Sequence, residues 1–281
     1  MKKILLPTDF SKNSINAINY AVSLFKDIAC EFYLLNVYRV PYLANEAMMD
    51  QDFTELRKVE KEMDQESKRG LKKLMEELPK NKKHHFEMIS DFNLFSLAVH
   101  QVVDERDIDL IIMGTKGATG AREIFMGTNT SDVIMRNACN VIAVPENLKF
   151  KAPKEILFPT DFSIWYKFSD LEPLISLASM NHSIVRIVHF APSDELSEDQ
   201  KENKQNLSSL LEGISHEYFT VNASNFEEGI NCFTQSRGNI DMILIVGRHY
   251  GFFERLFFRP KVKALSFHSR IPLYVIHHTN E

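Results

Sequence analysis

Three cysteines (Cys30, Cys139, Cys232) stand singly in apolar surroundings, and no C-x-x-C pair occurs. That leaves out a disulfide framework, a zinc knuckle and a dithiol redox centre; the three read as reduced core residues of a cytoplasmic protein. No apolar run approaches the about 18 residues of a membrane span. The opening Met-Lys-Lys-Ile-Leu-Leu-Pro is cut off at Pro7, far short of a signal-peptide core. A formal net charge of -5 gives no case for nucleic acid or an anionic membrane as partner. Neither G-x-S-x-G nor H-E-x-x-H is present, no Walker Lys-[Ser/Thr] closes a G-x4-G run, and G-x-G-x-x-G is absent. The ten histidines are scattered; His84-His85 and His277-His278 flank strand-like segments and read as surface residues rather than metal ligands. No catalytic residue and no metal ligand is expected.

What is present is a repeat. Lys3-Ile-Leu-Leu-Pro-Thr-Asp-Phe-Ser11 recurs as Glu155-Ile-Leu-Phe-Pro-Thr-Asp-Phe-Ser163, and Asp109-Leu-Ile-Ile-Met-Gly114 is echoed by Asp241-Met-Ile-Leu-Ile-Val-Gly247. At 281 residues, 44% hydrophobic and 25% charged, the chain has room for two soluble domains with cores of their own. The repeat assigns them as 1–147 and 148–281, with the boundary in the polar, proline-containing stretch 146–154.

Within the first copy, apolar runs alternate with helical periodicity. Strands are expected at 4–6, 32–37, 85–89, 110–113 and 141–144, with helices at 11–26, 53–78, 94–104 and after Thr128. The second copy predicts strands near Ile156, 183–190, 218–221, 242–246 and 273–276, and helices near 167–179, 199–214 and 226–237. Alternation of this kind implies parallel strands covered on both sides. The expected fold is α/β: two tandem doubly wound domains, each a mainly parallel five-stranded sheet with helices on both faces.

In such sheets ligands bind beyond the carboxyl ends of the strands. The run Leu110 to Met113 ends in a glycine loop that feeds a helix opening at Thr128 and Asn129. Glycines let backbone N–H groups approach an anion, and a helix N-terminus offers unpaired donors and a positive dipole end. The spacing is G-x2-G-x9-G-[ST], spelled Gly114, Gly117, Gly127, Thr128. That pattern resembles the ATP-binding loop of the universal stress protein family, and the resemblance extends over nearly the whole chain as two tandem copies. It implies a cytoplasmic, stress-linked regulatory or binding protein that holds ATP, alone or with Mg, with at most slow hydrolysis. The family's contact positions fall on Pro7, Thr8, Asp9, Val37, Met113, Gly114, Gly117, Gly127, Thr128 and Asn129. Asp9 also has a plain structural use, since Asp9 or Ser11 can cap the helix that follows.

The second copy keeps Pro159-Thr160-Asp161-Phe162-Ser163 but places Gly247, Tyr250, Pro260 and Lys261 where the first has Gly114, Gly117, Gly127 and Thr128. Pro260 has no N–H to donate, and Tyr250 obstructs close backbone approach. Nucleotide is therefore expected in the first domain only. Arg248, Arg255, Arg259, Lys261 and Lys263 instead alternate with Phe252, Phe253, Phe257 and Phe258. This loop is a candidate surface for a protein partner, a second copy or the opposite domain, with another anion or single-stranded nucleic acid as the lesser reading. The two copies are expected to pair within the chain, standing in for a homodimer. Two further readings stay open: a slow ATPase or nucleotidyl-transfer enzyme, and a nucleotide-free scaffold.

Overall fold

The computed structural model describes residues 1–39, 53–115, 128–190, 195–223, 226–247 and 271–277. The chain divides into two compact units, Met1–Phe150 and Lys151–Glu281. The first runs β1 (Lys2–Pro7), α1 (Lys12–Leu24), β2 (Cys30–Tyr38), α2 (Phe53–Glu77), β3 (His84–Phe92), α3 (Phe95–Arg106), β4 (Leu110–Gly114), α4 (Thr128–Arg136) and β5 (Asn140–Val144). The second runs β6 (Glu155–Thr160), α5 (Phe168–Asn181), β7 (Ile184–Phe190), α6 (Glu198–Leu210), β8 (His216–Val221), α7 (Phe226–Arg237), β9 (Met242–Gly247) and β10 (Leu273–His277).

Strand order in the first unit is β3-β2-β1-β4-β5, and in the second β8-β7-β6-β9-β10, the same arrangement. Every pairing within β1–β5 and within β6–β10 is parallel. The fold is thus α/β and doubly wound twice over, with helices on both faces of each sheet. Strands covered on both sides must be apolar at successive positions rather than alternate ones. Ile4 to Pro7, Leu110 to Gly114 and Met242 to Gly247 are accordingly buried throughout.

The helices are one-sided. In α1 the buried set includes Ala17, Ile18, Ala21 and Leu24, and in α2 Leu71 and Leu74 are covered while the lysines and glutamates face solvent. The second echo in the sequence also has a physical basis. The Asp109 carboxylate accepts the Lys3 N–H at 2.7 Å, and the Asp109 N–H donates to the Lys3 carbonyl at 3.0 Å. Asp241 repeats the device, accepting from Lys154 and Glu155 at 2.9 and 3.1 Å. An aspartate before the fourth strand pins the start of the first.

Three expectations need correcting, one of them His277, which ends β10 largely buried rather than on the surface. Cys30 and Cys139 are buried, but Cys232 is exposed, on the side of α7 away from the buried Ile230 and Phe233. His84 is not a surface residue: its ring packs edge-on against Phe32, and its Nε2 lies 3.0 Å from the Phe25 carbonyl oxygen at the end of α1. Strand pairing of Cys30 with His84 carries the ring inward, which its place at the end of a lysine run conceals.

Candidate functional site

The carboxyl ends of β1, β2 and β4 lie side by side, because β1 is flanked by β2 and β4. At this point the strand order changes direction, and the chain leaves β1 and β4 toward opposite sides.

Pro7 and Thr8 are buried and Asp9 is exposed. The Thr8 N–H donates to the Leu35 carbonyl at 2.8 Å, and the Asn36 amide donates to the Thr8 carbonyl at 2.7 Å. Thr8 Oγ1 accepts the Phe10 N–H at 3.0 Å and shares a hydrogen bond of 3.0 Å with Ser14 Oγ. Asp9 Oδ1 accepts the Ser11 N–H at 3.0 Å, an Asx turn, while Ser11 Oγ accepts the Ser14 N–H at 3.3 Å. Ser11 is therefore the helix cap, and Asp9 shapes the turn ahead of it. Within that turn Phe10 has φ 61°, in the left-handed region. Its ring lies against α2 at Gly70, where a β-carbon would stand 2.6 Å from the ring tip.

Val37 is half-buried near the end of β2, two residues beyond the Leu35 that pairs with Pro7. Met113 is buried and Gly114 ends β4. A β-carbon at Gly114 would fall 2.4 Å from the Asn13 amide nitrogen, so this glycine lets α1 close onto β4 whatever else it does. The Thr130 hydroxyl, on the first turn of α4, donates to the Gly114 carbonyl at 2.9 Å. That bond holds the opening of α4, with Thr128 at its first position and Asn129 exposed beside it, at the end of β4. Pro7, Thr8, Asp9, Val37, Met113, Gly114, Thr128 and Asn129 thus lie on one rim of the first sheet. Gly117 and Gly127 lie outside the described residues, as do Tyr250, Pro260 and the aromatic segment 252–258.

Asn13, Ser14 and Asn36 form a buried polar floor beneath this rim that motif matching does not single out. Asn36 carried a signal: it is the polar interruption of the run Phe32 to Val37. Among the described residues no group of three or more His, Cys, Asp or Glu side chains is placed to hold a metal, and no helix is long and apolar enough to cross a membrane. Burial pushes the thiol of Cys30 up to about 11 and that of Cys139 up to about 12, so neither supplies a thiolate near neutrality.

The same doubly wound parallel unit, with the same strand order, thus occurs twice along one chain, which makes this a tandem α/β protein. The universal stress protein family model matches residues 1–145. The chain belongs to the universal stress protein family. It is similar to a universal stress protein of Methanocaldococcus jannaschii, 31% identical over 149 residues, covering 53% of this chain and 84% of the relative. A second universal stress protein of the same organism is 29% identical over 153 residues, covering 51% of this chain and 94% of that relative. Among solved structures, a universal stress protein from Archaeoglobus fulgidus aligns with TM-score 0.71 and 17% identity, covering 99% of this chain and 97% of that one. At that identity the likeness concerns the fold.

Proposed function

We propose that the first unit binds an adenine nucleotide, ATP, at the carboxyl rim of β1, β2 and β4, and that the chain acts in the cytoplasm as a nucleotide-dependent regulatory or binding module. The observation that carries this reading is the G-x2-G-x9-G-Thr spacing, which begins at Gly114 on the last residue of β4 and finishes at the first residue of α4. Such a loop offers N–H donors and a helix dipole to phosphates. In this reading Gly114, Gly117, Gly127, Thr128 and Asn129 take the triphosphate, with Mg accompanying it in solution. Pro7, Thr8, Asp9, Val37 and Met113 surround the nucleoside. Membership of the universal stress protein family supports it.

The second unit binds no ATP in this manner, because Tyr250 and Pro260 stand at the glycine positions. The repeat also supports an intrachain pair of the two copies, with the basic aromatic segment 252–258 available to a protein partner. Titration calorimetry of the full chain is expected to find one ATP per chain. Gly127→Val, which blocks backbone approach, is expected to weaken binding at least about 100-fold with the thermal transition unchanged. Two equivalent sites, or undiminished affinity in that variant, would refute the reading.

A further inference from the structure

Strand β3 ends the strand order of the first unit, with β2 on one side and no described strand on the other. Its register on β2 fixes which backbone groups are already used. The Cys30 N–H donates to the Lys83 carbonyl at 2.9 Å, and Cys30 stands opposite His84. Bonds in a parallel pair alternate residue by residue, so His85, Glu87, Ile89 and Asp91 turn their N–H and C=O toward β2. Phe86, Met88, Ser90 and Phe92 turn theirs outward, along the open edge. Side chains alternate between the two faces as well. The Ser90 hydroxyl donates to Asp64 Oδ1 of α2 at 2.9 Å, and Glu87 pairs with Arg106 of α3 at 2.8 Å, so both faces brace the strand.

An open edge of nine residues is usually blunted by lysine, proline or a bulge. The run His84-His85-Phe86-Glu87-Met88-Ile89-Ser90-Asp91-Phe92 holds neither lysine nor proline, and its register on β2 is continuous. Met88 and Phe92 are 41% and 46% exposed. By contrast β8, which ends the strand order of the second unit, has six residues and no exposed large apolar side chain. The β3 strand also matches itself run backwards. Turned antiparallel about Met88, it sets His85 opposite Asp91 and Asp91 opposite His85, while Met88 meets its own copy and Phe86 meets Ser90. The outward groups then fall into hydrogen-bonded pairs: Met88 exchanges both bonds with its copy, and Phe86 exchanges both with Ser90. His85 and Asp91 form the closer, non-hydrogen-bonded kind of pair, in which an imidazole N–H can donate to the carboxylate. Slipping the copy by two residues sets Glu87 against Glu87 in one direction and against Asp91 in the other. A slip of one puts the outward groups out of phase and exchanges the faces. Charge, overlap and hydrogen bonding therefore select the same register.

We propose that this edge is a homodimer interface: two copies of the chain join their β3 strands antiparallel about a twofold axis at Met88. The contact is isologous, since each copy offers the same strand to the other, and it closes the open edge of both. It covers the exposed Met88 and Phe92, and it needs little ordering because β2, α2 and α3 already hold the strand. The inference does not depend on the nucleotide reading given above.

Analytical ultracentrifugation of the full chain without nucleotide, over a concentration series, is expected to show a monomer–dimer equilibrium. Met88→Lys brings two ammonium groups together at the axis and is expected to raise the dissociation constant at least about tenfold. His85→Asp sets carboxylate against carboxylate and is expected to weaken the dimer by a similar factor of about ten. Adding Asp91→His to that variant restores the pair with its order reversed, and is expected to return the constant to within about threefold of wild type. Far-ultraviolet circular dichroism is expected to be the same for all four proteins. A wild type that stays monomeric up to about 1 mM overturns the proposal and leaves the edge to another chain or to none. A dimer indifferent to both single changes forms elsewhere on the protein and overturns it too. So does a His85→Asp defect that Asp91→His fails to repair, because the register is then wrong.

Discussion

In the first unit the Phe10 ring lies against α2 where Gly70 leaves room; in the second, Phe162 is held at its backbone by α6. Both stand in the turn Pro-Thr-Asp-Phe-Ser, and the turn itself is the same twice over. Phe10 and Phe162 have φ 61° and 55°, their N–H groups both donate to the preceding threonine hydroxyl at 3.0 Å, and Asp9 and Asp161 both accept from the serine two residues on. Even the donor to the threonine carbonyl is supplied from the same strand position, by Asn36 in one unit and His189 Nδ1 in the other. What differs is the support around it. In the second unit Gln200, Asn203 and Asn206, spaced along one face of α6, bond to the Asp161 carbonyl, the Phe162 carbonyl and the Tyr166 N–H. There the turn is pinned to α6, the helix between β7 and β8, and the following helix starts only at Phe168; in the first unit it starts at Lys12, directly after the Ser11 cap. The motif is a device of the fold, and the two units brace it from different neighbours.

The sharpest way to break this comparison lies on the other end of the sheets. Arg186 of β7 grips Glu155 of β6 through two bonds of 2.5 and 2.9 Å and also pairs with Glu217 of β8. The first unit has Tyr33 at the corresponding position, with Arg106 of α3 lying over its ring and pairing with Glu87 at 2.8 Å. The Arg186 side chain is 8% exposed and that of Arg106 44%. Arg186→Met leaves Glu155 covered and without its guanidinium, and is expected to cost the second unit about 3 kcal/mol. Arg106→Met is expected to cost the first unit less than about 1 kcal/mol. Denaturant titration read by Trp165, the single tryptophan, follows the second unit, and far-ultraviolet circular dichroism follows both. Equal costs would show that the two networks are equivalent.

Acid should separate the units next. Burial pulls the His277 pKa down to about 4, from 6.5. The folded chain keeps this imidazole neutral while the unfolded chain protonates it, so the stability tied to it is full above pH 6.5. It declines as pH falls through 6.5 toward 4, where the folded state also takes up the proton. The loss over that window is on the order of 2–3 kcal/mol. His277→Gln is expected to flatten this limb in the tryptophan-detected transition; an unchanged acid limb would assign it to other groups.

The smallest effect is the clamp on the second turn. Asn203→Ala and Asn206→Ala are each expected to cost about 1 kcal/mol, the net worth of a partly buried hydrogen bond. The midpoint of the Trp165 transition should fall with the first-unit transition unmoved. A shift below about 0.3 kcal/mol in both variants would mean that water replaces the lost amides without penalty.

The sequence by itself determined the alternation of strands and helices, the parallel sheets and the repeat, because each is written in local periodicity. A strand buried on both faces must be a continuous apolar run, as Leu110 to Met113 is, and a helix on a sheet must carry an apolar stripe, as α1 does. Strand and helix positions read from those runs agree with the structure to within a few residues at each end. The rim residues from Pro7 to Asn129 were legible as a motif, and Asp9 as either ligand contact or cap. Only the tertiary structure decided that Ser11 is the cap and that Gly114 is needed to admit Asn13. It alone also decided that Asn36 props Thr8, that Asp64 holds the Ser90 hydroxyl, and that Cys232 faces solvent while His84 does not. Most of these join residues distant along the chain, and local pattern shows which face of an element is buried without showing which neighbour it meets. That is decided by where each helix crosses the sheet, and so by the packing of all the elements together.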